Sequence, residues 1–223
     1  MIRAIATDLD GTLTDERQRI SLNAIEAMRQ VEARGIPVVL ATGNVLPITR
    51  AVSVYMGTSA PVVAENGGIV HWPTKGRTKV LADRKRCDEA LRHLQREMDV
   101  KPVFTDPWRV TEVALEPDAD VKKIEELLAD WDLLIEATGF AVHISNPGIN
   151  KLEGVRIACS WMDISLGDVM AIGDSANDLS MIEGCGVGVA VANASPQVKA
   201  SADHVTHNKG GDGVVEALQR YLP

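Results

Sequence analysis

The sequence predicts an α/β protein whose core is a doubly wound, mostly parallel sheet, with a smaller α+β domain inserted into it. Three observations support this fold class. Short apolar runs alternate with helical patterns along most of the chain, an order typical of parallel sheets covered by helices. The alternation breaks between residues 83 and 150, where strand-like runs follow one another. Polar clusters follow several of the apolar runs, at the strand ends where such sheets bind their ligands.

The first part of the chain carries three predicted strands and two predicted helices. Ser21 is a typical helix cap, and the apolar residues after it recur at helical spacing until Gly35, which favours a helix end. The run IPVVLA has the continuous apolar character of a strand covered on both faces. The predicted strands are 2–7, 36–41 and 61–64, and the predicted helices are 22–31 and 46–56.

The segment 83–150 is predicted to form a domain of its own, with paired strands covered by two helices. Its predicted helices are 83–98 and 121–131, and its predicted strands are 101–104, 110–115, 133–137 and 140–144. A length of roughly 65 to 70 residues is near the lower limit for independent folding. Two further strands, 168–172 and 187–191, return the chain to the core sheet. We therefore expect a core of 1–82 and 151–223 and an inserted domain of 83–150.

The composition excludes several classes of function. The 223 residues carry a formal net charge of -8, with 45% apolar and 24% charged residues, values typical of a folded, water-soluble chain. No block of basic residues is present, which argues against a nucleic-acid surface. No apolar stretch approaches the roughly 18 residues of a membrane span, and no signal-peptide pattern is found near the start. We expect a cytoplasmic protein with no nucleic-acid or membrane partner and with reduced cysteines.

Three predicted strands are followed by distinctive polar clusters. The clusters are Asp8 with Asp10 after the first strand, Thr42-Gly43-Asn44 after the second, and GDSANDLSM at 173–181 after the strand at 168–172. Parallel strands would place four carboxylates at one edge of the sheet, where they would repel one another strongly. These are the carboxylates of Asp8, Asp10, Asp174 and Asp178. A hard cation relieves this repulsion, and Mg²⁺ prefers carboxylate, water and phosphate oxygens. A carboxylate beside such an ion can attack phosphorus and form an aspartyl phosphate.

Simpler interpretations of Asp8 and Asp10 fit the sequence less well. Asp-Gly is a common turn pair, but residues 12–19 do not alternate as a returning hairpin strand would. A calcium loop also begins D-x-D, but it needs glycine at its sixth position, where Leu13 stands. The pair is therefore predicted to carry function.

The order of these motifs resembles the haloacid dehalogenase-like phosphatase superfamily over nearly the whole chain. The D-x-D-G-T motif of that superfamily corresponds to residues 8–12. The other matching motifs are Ala41-Thr42-Gly43, ENGG at 65–68, Asn150-Lys151 and GDSAND at 173–178. The resemblance implies a Rossmann-like catalytic core, an inserted α/β cap domain and a Mg²⁺-dependent phosphatase.

The resemblance also implies roles for the four aspartates. Asp8 would be the nucleophile and a metal ligand. Asp10 would be the general acid and base, and its backbone carbonyl would bind the metal. Asp174 would bind the metal directly, and Asp178 would bind it directly or through water.

Further residues would bind the phosphoryl group or the substrate. Thr42 would donate a hydrogen bond to the phosphoryl group, and Lys151 would neutralise its oxygens and restrain Asp8. Gly43 and Asn44 are predicted to contact substrate, although many members of this branch have arginine in place of Asn44. Asn177 would either bind substrate or shape its loop, and the sequence leaves both roles open.

The inserted domain is predicted to select the substrate. Its type matches the branch that includes sugar phosphatases, and within that branch the chain is similar to the archaeal phosphoglycolate phosphatases. The likeness implies a small phosphorylated metabolite, with 2-phosphoglycolate as the first expectation. Because phosphoglycolate also carries a carboxylate, we expect a cation near the leaving group. Arg109 is the first candidate and His143 the second.

Two other functions remain open at this stage. The same chemistry with a different cap preference would give a broad sugar-phosphate phosphatase. Phosphorylation of Asp8 without turnover would give a switch like bacterial response-regulator receivers, but that function leaves Asp10 and the inserted domain without a role. The sequence is compatible with a monomer or a homodimer.

Overall fold

The computed structural model describes residues 1–222. The strands are β1 (Ala4–Thr7), β2 (Val38–Leu40), β3 (Val62–Ala64), β4 (Ile69–Trp72), β5 (Arg77–Val80), β6 (Val113–Leu115), β7 (Leu134–Ala137), β8 (Val142–Ser145), β9 (Val169–Gly173), β10 (Val187–Ala190) and β11 (His204–Val205). The helices are α1 (Leu22–Ala33), α2 (Leu46–Met56), α3 (Lys85–Glu97), α4 (Val121–Leu127), α5 (Lys151–Met162), α6 (Leu179–Gly184), α7 (Pro196–Ser201) and α8 (Gly210–Tyr221). Within residues 1–222, no helix combines the length and the apolar character that a membrane crossing requires.

The chain divides into two compact units. The first contains Met1–Lys79 and the segment that begins at Asn150, and the second is Val80–Ile149. The predicted boundaries, at 82/83 and 150/151, lie slightly later in the chain. Asn150 belongs with the first unit because it caps α5, where its Oδ1 accepts a hydrogen bond from the N–H of Glu153 at 3.1 Å.

Five parallel strands form the main sheet of the first unit, in the order β11-β10-β9-β1-β2. Ile5 of β1 pairs with Val38 of β2 on one side and with Met170 of β9 on the other. The strand order therefore reverses at β1, because the chain continues to β2 on one side and returns to β9 on the other. Sheets of this type bind ligands at the carboxyl ends of the strands beside such a reversal. The predicted parallel α/β core is confirmed.

Residues from both ends of the chain form the core of this unit. Ile5, Met28 and Met170 are completely buried and belong to one apolar cluster with Val214 of α8. Burial of each large side chain contributes about 1.5–3 kcal/mol. Helix α1 begins where the sequence predicts, because Ser21 Oγ accepts a hydrogen bond from the N–H of Ala24 at 3.3 Å. The packing of α1 against α8 joins the two terminal segments on one face of the sheet.

A second sheet of the first unit, β3-β4-β5, was only partly predicted. The sequence indicated β3 but not the two strands after it. The strand β5, with the sequence RTKV, is exposed along its whole length and so lacks the apolar pattern that marks a strand. A cation–π contact of Arg77 with Trp161, 4.2 Å from the ring centroid, joins β5 to α5.

The second unit has an antiparallel sheet with the strand order β6-β8-β7. Its apolar core includes Leu94 of α3, Ile124 of α4 and Ile144 of β8, all completely buried. The predicted strand at 101–104 does not form, and its pairing with β6 is limited to a bridge of Pro102 with Leu115 that backbone hydrogen bonds flank on both sides. Pairing ends after Val103 because the chain turns there, where the N–H of Asp106 donates to the Val103 carbonyl at 2.9 Å.

Candidate active site

The carboxyl ends of β1, β2 and β9 carry the predicted site residues. Asp8 directly follows β1, Thr42 lies two residues after β2, and Asp174 directly follows β9. Asp178 ends a short helical turn after β9, and Lys151 is the first residue of α5. Segments far apart in the sequence therefore meet at one edge of the sheet.

Lys151 lies in the interior between two carboxylates. Its Nζ donates to Oδ1 of Asp8 and to Oδ1 of Asp178, each at 2.6 Å. Lys151 and Asp178 are completely buried, and Asp8 is 3% exposed. Burial disfavours the charged ammonium, but the carboxylates of Asp178 and Asp8 outweigh that effect and raise the pKa of Lys151. Lys151 is therefore a fixed positive charge beside the carboxylate of Asp8.

Three carboxylates converge beside Lys151. Asp8, Asp174 and Asp178 each offer one oxygen, and these oxygens all lie within 4.8 Å of one another. Burial raises the pKa of Asp8 well above its usual value, in opposition to Lys151 and with help from the neighbouring carboxylates. Burial, followed by the charge of Asp178, raises the pKa of Asp174 to about 6. This all-oxygen donor set fits a hard divalent cation such as Mg²⁺, which would relieve the repulsion.

Asp178 also shapes the loop that presents Asp174. Its Oδ2 accepts hydrogen bonds from the N–H groups of Asp174 at 2.9 Å and of Ser175 at 3.0 Å. Gly173 fits closely against it, since a Cβ added there would lie 2.5 Å from the Asp178 Cβ. The GDSAND segment is thus a compact turn that holds its two carboxylates in fixed positions.

The loop after β1 contacts the other side of Asp174. Thr12 Oγ1 donates to Oδ1 of Asp174 at 2.8 Å. Gly11 has a φ of +84°, and a Cβ added there would lie 2.5 Å from Oδ2 of Asp174. Both the left-handed backbone and the close approach therefore require glycine at this position.

Replacing Gly11 with alanine is expected to displace the Asp174 carboxylate and to weaken the affinity of the carboxylate cluster for a divalent cation about 10- to 100-fold, the usual cost of disturbing the support of a metal ligand. Titration calorimetry with Mg²⁺ as the probe measures this effect.

Gly35→Ala is the matched control for this substitution. Gly35 has a φ of +80°, but no atom lies within 4 Å of a Cβ added there. It carries the same backbone strain, about 1–2 kcal/mol, without a steric contact. Equal Mg²⁺ affinity of the two variants would show that Asp174 is not part of a metal site.

Asp10 lies outside the cluster of three carboxylates and is held by Asn44. Asn44 Nδ2 donates to Oδ2 of Asp10 at 2.6 Å and lies 3.4 Å from Oγ1 of Thr42. Burial raises the pKa of Asp10, while Lys151 and the hydrogen bond from Asn44 oppose the increase. Asn44 therefore contacts Asp10 and Thr42, and substrate contact by Asn44 stays a prediction. The same holds for metal binding by the Asp10 carbonyl.

Asn177 takes part in a chain of polar contacts that includes Asn66. Ser175 Oγ donates to Oδ1 of Asn177 at 2.7 Å, and Nδ2 of Asn177 donates to Oδ1 of Asn66 at 2.9 Å. The N–H of Asn66 in turn donates to the carbonyl of Thr42 at 3.2 Å. These contacts support a loop-shaping role for Asn177. Asn66 was not predicted as a site residue, although the ENGG motif that contains it had been recognised.

The two predicted cations for the leaving group, Arg109 and His143, lie in the second unit. Arg109 forms an ion pair with Glu112, and Nδ1 of His143 lies 3.0 Å from the same carboxylate. All three side chains are buried. Since Glu112 balances the charge of Arg109, substrate binding by Arg109 would require it to share or exchange this partner. That role stays a prediction.

No cysteine has the properties of a nucleophile. All three cysteines are free. Burial raises the pKa of Cys87 and of Cys159 to about 11, and that of Cys185 to about 12. A thiol with such a pKa stays protonated near neutral pH and is a weak nucleophile. Asp8 is therefore a better candidate than any cysteine for covalent chemistry.

Comparison with known proteins identifies relatives along the whole chain. The family model of haloacid dehalogenase-like hydrolases matches residues 5–103 and 100–218. The chain is 44% identical over 221 residues to a phosphoglycolate phosphatase from Methanothermobacter thermautotrophicus, covering 99% of each chain. It is 38% identical over 217 residues to one from Archaeoglobus fulgidus, covering 97% of this chain and 96% of the relative.

A solved structure agrees with this result. The crystal structure of protein 0175 from Thermoplasma acidophilum has a TM-score of 0.92 and 29% identity, covering 99% of this chain and 98% of that one. The predicted fold and enzyme class, a phosphomonoester hydrolase, are confirmed. With a matching family model and relatives over its full length, the chain belongs to the haloacid dehalogenase-like hydrolases.

Proposed function

We propose that this enzyme hydrolyses a small phosphomonoester in a Mg²⁺-dependent reaction that passes through an aspartyl phosphate on Asp8. The observation that supports this most strongly is the contact of Lys151 Nζ with Asp8 and Asp178 at 2.6 Å, beside the Asp174 carboxylate. The fixed positive charge of Lys151 and two further carboxylates, suited to a divalent cation, thus lie beside the buried Asp8. Phosphoryl transfer is catalysed chiefly by such positioning and charge compensation.

Asp8 carries out the covalent step in this proposal. One of its carboxylate oxygens attacks phosphorus, and the bond from phosphorus to the ester oxygen breaks. Water then attacks the aspartyl phosphate, which releases inorganic phosphate and restores the carboxylate. Lys151 keeps Asp8 oriented and neutralises charge that spreads over the phosphoryl oxygens.

Asp10 transfers the protons. In the first step it protonates the leaving ester oxygen, and in the second step it accepts a proton from the attacking water. The hydrogen bond from Asn44, at 2.6 Å, fixes its carboxyl group for both steps. Its position two residues after Asp8, in the same loop, keeps acid and nucleophile near one phosphorus atom.

Other side chains at the sheet edge bind the metal and the phosphoryl group. Asp8 and Asp174 would hold Mg²⁺ directly, with Asp178 as a direct or water-mediated ligand. The bound ion would supply positive charge that compensates the phosphoryl oxygens. In this proposal Thr42 donates a hydrogen bond to the phosphoryl group, and Gly43, the next residue, also contacts the substrate.

The proposed substrate is 2-phosphoglycolate, which yields glycolate and phosphate. The names of the two curated relatives, 44% and 38% identical over nearly the whole chain, support this choice. The second unit, 80–149, is proposed to act as a cap that selects the substrate and excludes bulk water during transfer. In that role, Arg109 is the candidate partner of the glycolate carboxylate.

A panel of phosphate esters, assayed with Mg²⁺ and after its removal by a chelator, tests the proposal. We expect kcat/KM for 2-phosphoglycolate to exceed that for hexose phosphates by about 10-fold or more, the scale at which a pocket discriminates small substrates. Without Mg²⁺, turnover should be lost, and it should return when Mg²⁺ is added back.

The other results of this panel favour the alternative functions. A preference for hexose phosphates would indicate a broad sugar-phosphate phosphatase with the same chemistry. Accumulation of a stable aspartyl phosphate without release of inorganic phosphate would indicate a phosphorylation switch. Full activity without Mg²⁺ would show that the carboxylate cluster does not serve as a metal site in catalysis.

A further inference from the structure

We propose that Asn193 is a positioning residue for Asp10, an inference that rests on the proposed function of Asp10 as general acid. Asn193 lies in the segment 191–195 that follows β10, here called the β10 loop. Its Nδ2 donates to the carbonyl of Gly11 at 2.8 Å, and its Oδ1 accepts a hydrogen bond from the N–H of Gly210 at 2.7 Å. One side-chain amide thus joins two loops that are distant in the sequence.

The first of these contacts acts on the peptide between Gly11 and Thr12, one residue beyond Asp10. Gly11 has a φ of +84° and, without a Cβ, restricts its own backbone less than any other residue. The N–H of Gly11 donates to Oγ1 of Thr14 at 2.9 Å, and the hydrogen bond from Asn193 holds its carbonyl, so the Gly11 backbone is restrained on both sides. Asn44 holds the Asp10 carboxylate at 2.6 Å, so Asp10 is held at its side chain by one asparagine and through the adjacent backbone by another.

The β10 loop also contacts the loop that carries Asp174. The N–H of Val191 donates to the carbonyl of Gly173 at 3.2 Å, and the N–H of Ser195 donates to the carbonyl of Asp174 at 2.9 Å. These are backbone contacts that most residue types could supply. The contact with Gly11, in contrast, depends on the side chain of residue 193.

The second partner of Asn193 is itself held in place. The carboxylate of Glu216 accepts hydrogen bonds from the N–H groups of His207 and Asn208, each at 3.0 Å. The carbonyl of Asn208 accepts a hydrogen bond from the N–H of Ala192 at 3.1 Å. These hydrogen bonds hold the segment 207–210 in position, so Oδ1 of Asn193 has a fixed partner. Its Nδ2 can therefore restrain Gly11.

The leaving group of the substrate provides a direct test. An alkyl ester needs a proton from Asp10 as it leaves, whereas 4-nitrophenyl phosphate releases a stable anion with little need for an acid. The value of kcat/KM reports the steps up to transfer onto Asp8, so it isolates this difference. The wild-type enzyme, Asn193→Ala and Asn193→Asp are compared on 2-phosphoglycolate and on 4-nitrophenyl phosphate.

Both variants are expected to lose about 10-fold or more in kcat/KM on the alkyl ester and less than about 2-fold on the aryl ester. Asn193→Asp retains an acceptor for the Gly210 N–H and replaces the donor to Gly11 with a negatively charged oxygen that repels the carbonyl, whereas Asn193→Ala removes both contacts without adding charge. Asn193 is exposed, so thermal unfolding should change little for Asn193→Asp.

Two control variants distinguish a specific effect on Asp10 from a general effect of changing a surface asparagine. Asn23→Ala removes another exposed asparagine that contacts α8, through Asp212 at 3.4 Å, and should change neither kcat/KM value. Asp10→Asn should show a larger loss on the alkyl ester than on the aryl ester.

If Asp10→Asn shows no dependence on the leaving group, or the wild type hydrolyses no alkyl ester, both the role of Asp10 and this inference are wrong. If Asp10→Asn shows the dependence but the Asn193 variants lose activity equally on both esters, or on neither, only the inference about Asn193 is wrong.

Discussion

Replacement of Asp8 with asparagine is expected to reduce turnover by at least about 10⁴-fold, the scale on which enzymes respond to the loss of their nucleophile. The amide cannot attack phosphorus as a carboxylate does, so no aspartyl phosphate forms. Its oxygen can still accept the hydrogen bond that Lys151 donates to Asp8 at 2.6 Å, and the fold should persist. Steady-state kinetics and circular dichroism measure the two effects. Mass spectrometry of the quenched enzyme should find a phosphoryl group on the wild type only.

The matched control for this substitution is Asp15→Asn. Asp15 lies seven positions further along the chain and forms an exposed ion pair with Arg19, so its amide variant should retain full activity. If the Asp8→Asn variant keeps substantial Mg²⁺-dependent turnover, the reaction does not proceed through Asp8.

Replacement of Lys151 with methionine should reduce both stability and activity. Methionine fills a similar volume but leaves the carboxylates of Asp8 and Asp178 buried without their shared cation. Breaking a buried ion pair in this way typically costs about 3–5 kcal/mol of unfolding free energy. Loss of a positioned charge beside the phosphoryl group should lower kcat by a further factor of about 10²–10³. Denaturant unfolding and steady-state kinetics measure the two effects.

Lys122→Met provides the matched control, because Lys122 lies in the first turn of α4 and is exposed. It should unfold at the same denaturant concentration as the wild type. A second variant, Lys151→Arg, keeps the charge but has a planar, bulkier group, and should regain more stability than activity. Wild-type stability of Lys151→Met would contradict the assignment of Lys151 as the cation that both carboxylates require.

Much of the site could be predicted because its residues lie directly after strands. Asp8 and Asp174 follow apolar runs, and the parallel arrangement implied by the alternating elements places such residues at one edge. The family motif added Lys151, which by itself is an ordinary lysine. The strand β5 was missed because RTKV, exposed throughout, carries no period of apolar residues. Residues 101–104 were wrongly assigned as a full strand, because their apolar character does not reveal that the chain turns after Val103 and leaves a single bridge to β6.

The sequence by itself determined the α/β class and the strand ends that carry the carboxylates, and it indicated the change of pattern at 83–150, because these follow from local apolar periodicity and from turn and capping residues. Only the tertiary structure decided which side chains share a partner. Lys151 reaches Asp8 across 143 positions of the chain, and Asn193 reaches Gly11 across 182. Such contacts depend on how loops from different strands pack at one sheet edge, and that packing leaves no periodic signal in the residues themselves.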